Sequence, residues 1–126
     1  MALAPRLDRL PVIVRRTLYG LAIASVLLGL GHTALTLPMY RQLTLPALWF
    51  AGSGLAMVVC GLMNLLALRA RSTDGLARWL PVFSNASLTA FGLLLWPLLP
   101  APQVAVAIAL FAGSTACSLA LLAKRA

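Results

Sequence analysis

Three stretches of this chain contain no Asp, Glu, Lys or Arg: residues 17–40, 42–68 and 79–123. All three are apolar. An α-helix rises 1.5 Å per residue, so about 20 residues cross a hydrocarbon core of about 30 Å. The first two stretches are each long enough for one crossing. The third is long enough for two, and Pro97, Pro100 and Pro102 divide it. Only 10% of residues are charged, where a soluble domain carries about 25%. So few charges cannot cover a water-facing surface, and the bilayer is the expected solvent.

These constraints predict an all-α, polytopic integral membrane protein. Its single domain, residues 1–126, is expected to be a four-helix bundle running up-down-up-down. The spans are expected at about residues 17–37, 46–68, 80–96 and 102–123, after a basic tail at 1–16. Pro38 is expected to end the first span, with a short turn over 39–45. Pro46 suits the first turn of the second helix, and Ser72, Thr73 and Asp74 offer caps before the third. The first apolar run exceeds the length of a signal core and no small-x-small site follows it, so it is expected to stay as an anchor.

The charges set an orientation. Arg6, Arg9, Arg15, Arg16, Arg69, Arg71, Arg78, Lys124 and Arg125 fall on one side of a four-span model, and Arg41 stands alone on the other. Positive residues favour the cytoplasmic side. Both termini are therefore expected in the cytoplasm, with the tail docked on anionic lipid. The net charge of +8 is accounted for in this way. Without an aromatic–basic motif, nucleic acid is not an expected partner. In size and span number the chain looks like small bacterial inner-membrane proteins, and that is the expected location.

Small residues mark the expected helix contacts. Ser25, Gly29, His32 or Thr33, and Thr36 share one face of the first span. In the second, Gly52, Ala56, Cys60 and Asn64 form one stripe, and Gly54 and Gly61 another. Ala105, Ala109, Gly113, Ala116 and Ala120 form the expected packing face of the fourth, toward either the bundle or a second copy, with Leu110, Leu119 and Leu122 turned elsewhere.

The spans hold no ionisable carboxylate or amine. The chain resembles small four-helix drug exporters in size and span number, but their activity requires a membrane-embedded glutamate, so it does not carry over. No GxSxG, HExxH or phosphate loop occurs, and no enzyme is expected. Cys60 and Cys117 lie deep in apolar runs and are expected as small buried thiols. With one histidine and two separated thiols, no metal site is expected.

Two groups of polar residues remain. His32 lies about 15 residues into the first span, or ~22 Å along it. With Thr36, Trp49 and Ser53 it outlines a pocket that would suit a lipid, a quinone or a haem. Asn64 and Asn85 are expected to act structurally, by hydrogen bonding across a helix pair. The first functional expectation is a structural or accessory subunit. Its partners would be the lipid bilayer and either another membrane protein or a second copy of itself. The alternative is a lipid-, quinone- or haem-binding protein built around His32.

Overall fold

A computed structural model of the protein describes residues 10–70 and 74–123. Among these residues every regular element is helical. They are α1 (Leu10–Ala34), α2 (Thr36–Tyr40), α3 (Leu45–Arg69), α4 (Gly75–Leu95) and α5 (Pro102–Ala123). The expected surface docking of Arg6 and Arg9, the caps Ser72 and Thr73, and Arg71, Lys124 and Arg125 lie outside the described residues.

The four long helices form a ring in which α1 packs on α3, α3 on α4, α4 on α5, and α5 back on α1. Neighbours run antiparallel. Three segments are long and apolar enough to cross a membrane: Pro11–Tyr40, Leu45–Arg69 and Pro102–Ala123. Helix α4 has 21 residues, but Arg78, Ser84, Asn85, Ser87 and Thr89 dilute its apolar character. The bundle is also inverted relative to a soluble protein. Leu27, Leu55, Leu62, Phe83, Leu94 and Val106 face outward, while Ala22, Ser25, Cys60, Asn64, Asn85 and Ser114 are buried. An apolar exterior around a small, partly polar interior is what a lipid solvent selects.

Local sequence explains the helix ends. Thr44 caps α3, its hydroxyl accepting from the Ala47 amide, with Pro46 in the first turn. Asp74 caps α4 by accepting from the Leu76 amide at 3.0 Å. Pro38 behaves differently from expectation. It lies within α2, and the break comes earlier, at Leu35. Having no N–H, Pro38 cannot pair with the Ala34 carbonyl, and its ring crowds that carbonyl. The helix therefore stops at Ala34 and restarts with the proline in its first turn. The chain turns at Arg41, which adopts φ 54° and donates its amide to the Leu37 carbonyl. At the other end, α1 begins at Leu10, with Pro11 in its first turn.

The closest contact in the bundle is between α1 and α3. A Cβ added to Gly29 would lie 2.5 Å from the Gly54 carbonyl oxygen. One added to Gly54 would strike Thr33 and the Gly29 carbonyl, and one on Gly61 would lie 2.7 Å from the Ala22 carbonyl. Only glycine allows these two backbones to approach so closely. Gly52, by contrast, has nothing within 4 Å of its added Cβ, and Ala56 is exposed. The stripe beginning at Gly52 thus turns inward only at Cys60 and Asn64.

The fourth span corrects an expectation. Ala105, Ala109, Ala116 and Ala120 are exposed, and only Gly113 borders the bundle, 3.4 Å from the Leu21 side chain by its added Cβ. The buried face carries Val104, Leu110, Phe111, Ser114 and Ser118. Leu110 is therefore inside. The reason is volume: four helices around one axis leave a gap that alanines cannot fill. Phe111 and Leu110 fill it, packing with Cys60, Leu21, Met57 and Leu88.

Gly54→Ala is expected to cost about 1–3 kcal/mol, the usual penalty for forcing atoms into a filled contact. Gly52→Ala should stay within about 0.5 kcal/mol of the parent. Equilibrium unfolding in mild detergent compares the two.

Candidate functional site

The polar centre of the bundle is built on α3 and α4. Residues 60 and 64 are one turn apart on α3, and 81 and 85 one turn apart on α4, so each pair lies on one helix face. Asn64 and Asn85 are both 0% exposed. The Asn85 amide donates to Asn64 Oδ1 at 2.8 Å and to the Pro81 carbonyl at 2.6 Å. Asn85 Oδ1 accepts from Asn64 Nδ2 and from the Cys60 thiol, each at 3.1 Å. Both amide hydrogens and both acceptor positions of Asn85 are thereby used. Ser84 sits beside this group, 3.7 Å from the thiol, and donates to the Pro81 carbonyl.

Such a group cross-links two helices through side-chain hydrogen bonds, and Cys60 and Cys117 are both free thiols. Across helices in lipid, such bonds contribute roughly 0.6–2 kcal/mol each. The larger energy is in the penalty for breaking one, because the abandoned partner has no water to turn to.

The His32 residues sit near the Arg41 end, and the structure separates them. Imidazole and Phe50 ring are stacked, with centroids 3.7 Å apart and planes 25° apart. Tyr40 tilts against the same phenyl ring at 5.6 Å. The Thr36 hydroxyl donates to the His32 carbonyl and the Ser53 hydroxyl to the Phe50 carbonyl. Both hydroxyls therefore serve their own chain segments. Trp49 is 73% exposed and does not join this cluster. Phe50, which the sequence reading did not single out, is the side chain stacked on the histidine.

Sequence reasoning also missed a cleft at the opposite end, lined in part by Arg15, Arg78 and Ser118. A signal for it exists. Arg15 continues the inward stripe of Leu18, Ala22, Ser25 and Gly29, and Arg78 continues that of Pro81, Asn85 and Gly92. Read as topology markers alone, the two arginines lose this information.

Compared with known proteins, the chain matches no family model, no curated protein and no solved structure.

The asparagine pair predicts a characteristic double-mutant cycle. Asn85→Leu alone removes both bonds that the Asn64 amide makes to Asn85 and leaves the Cys60 thiol only its longer contact with Ser84. It should be more destabilising than Asn64→Leu with Asn85→Leu together, after allowance for volume. A coupling of roughly 0.6–2 kcal/mol between the positions is expected from unfolding measurements in detergent.

Proposed function

We propose that this protein is a non-catalytic, structural or accessory subunit of a membrane, joining a partner helix through the outer face of α5. The observation that carries the reading is the outward stripe of Ala105, Ala109, Ala116 and Ala120. The close contacts inside the bundle are made elsewhere, by Gly29, Gly54 and Gly61. A smooth face left on the outside lets another helix approach closely and gain dispersion contacts and weak backbone interactions. The partner is either another membrane protein or a second copy.

All four long helices cross the bilayer in this reading, with both termini in the cytoplasm of a bacterial cell and the bundle in its inner membrane. The charges support the orientation. Arg15, Arg69 and Arg78 cluster at one end among the described residues, and Arg41 lies at the other. The alternative, a lipid, quinone or haem at His32, has less support. Phe50 covers one face of the imidazole, and Trp49 stands exposed and apart from it.

Ala109→Leu with Ala116→Leu should leave unfolding stability within about 0.5 kcal/mol of the parent while removing the larger species seen on native gels in mild detergent. Cysteine crosslinking through Ala109→Cys then separates a second copy from a different partner. A parent protein that migrates only as a monomer and captures no membrane protein would sink the proposal.

Orientation has its own check. A reporter active only outside the cytoplasm should give signal when inserted in the turn at residues 41–44. Signal from an insertion between α3 and α4 would reverse the assignment.

A further inference from the structure

The basic end of the bundle contains a cleft of about 170 Å³ to which all four long helices contribute. A cavity of about 150 Å³ is enough for a benzene ring, so a headgroup-sized moiety fits. Its polar lining comes from Arg15, Arg78 and Ser118, and its apolar lining includes Leu18, Met63, Leu66 and Leu80. The cleft reaches the outer surface of the bundle, because Leu66 and Leu80 both line it and are exposed. These two residues flank the α3–α4 seam, the most loosely packed of the four.

The arginines are held by helix ends. Arg15 donates to the Leu68 carbonyl in the last turn of α3 at 2.5 Å. Arg78 donates to the Leu122 carbonyl in the last turn of α5 at 3.3 Å. The partial negative charge of a helix C-terminus favours both contacts, and each guanidinium keeps further N–H groups for another acceptor. Among the described residues, two buried side-chain polar atoms are left without a hydrogen-bond partner: Arg78 Nε and Ser118 Oγ. Ser118 is 8% exposed. A buried polar atom without a partner costs free energy, and here two of them border one cleft. The carboxylate nearest in sequence, Asp74, caps α4 and is not part of the lining.

We infer that this cleft binds the phosphate of an anionic phospholipid, with the acyl chains leaving through the α3–α4 seam. Two guanidinium groups and a hydroxyl match a phosphate in charge and in hydrogen-bond donors. The apolar walls continue directly onto the lipid-facing surface, so a tethered phosphate is favoured over a free one. Arg15 and Arg78 both line the cleft and bond to neighbouring helix ends, which a purely topological role would not require. They are positioned for binding as well as for orientation.

The experiment uses the full chain in nanodiscs of phosphatidylcholine, with and without phosphatidylglycerol. The thermal midpoint of the parent should rise with the phosphatidylglycerol fraction, since a ligand of the folded state stabilises it by mass action. Native mass spectrometry should show phosphatidylglycerol retained in preference to phosphatidylcholine. Arg15→Gln with Arg78→Gln is expected to reduce that preference about tenfold or more, and Ser118→Ala to reduce it less. Arg78→Lys keeps the charge but not the planar fork, and should fall between the parent and Gln. If the double variant fails to fold, Ser118→Ala and the parent titration still decide the matter. A parent midpoint indifferent to phosphatidylglycerol, or a preference unaffected by all of these changes, overturns the inference. Inorganic phosphate that displaces the lipid and raises the midpoint equally on its own would assign the cleft to a free anion and overturn the lipid assignment.

Discussion

The bundle depends on the approach of two backbones. Where α1 and α3 meet at Gly29, Gly54 and Gly61, carbonyl oxygens occupy the positions that side chains would otherwise take. Within a bilayer the hydrophobic effect does not hold helix to helix, because lipid is as apolar as leucine. Dispersion and short polar contacts remain, and both fall off steeply with distance. A glycine seam brings these two helices close enough for such contacts to accumulate. It also fixes their rotation, since only one face of each is smooth in the required places.

The polar groups follow from the same solvent. Hydroxyls within the helices donate to carbonyls one turn back, as Ser25 does to Leu21 and Ser114 to Leu110. The side-chain amides of Asn64 and Asn85 satisfy one another across α3 and α4. Pro81 contributes to this arrangement, its carbonyl accepting from both Asn85 and Ser84. The glycine seam closes α1 on α3, the asparagine pair joins α3 to α4, and Phe111 of α5 fills the centre. Among the described residues the exceptions are Arg78 Nε and Ser118 Oγ at the basic end, where all four long helices line a cleft.

Much of this was readable from the chain. Helix number, the starts at Pro46 and Pro102 and the capping of α4 by Asp74 all follow from local chemistry. The inward face of α1 and the start of α2 was readable too, because Ser25, Gly29 and Thr36 are small or polar and correctly spaced. The same rule failed on α5. Small residues mark a face that can be approached, without saying whether the approaching helix belongs to the same bundle. The surroundings of His32 were less legible. Its neighbours in sequence are hydroxyls, but the group stacked on its ring is Phe50, from the helix beyond the turn.

The sequence by itself determined the solvent, the secondary structure and which residues cannot remain alone in lipid. Those properties depend on composition and on hydrogen bonds closed within a few residues. Tertiary structure alone decided which smooth stripe was used inside and which was left outside. It also decided that Asn85 would satisfy Asn64 and Cys60 together, and that Arg15 and Arg78 would face one cleft from separate helices. These are matters of rotation about each helix axis. Rotation is fixed by the volume four helices must fill between them, and no single helix carries that quantity.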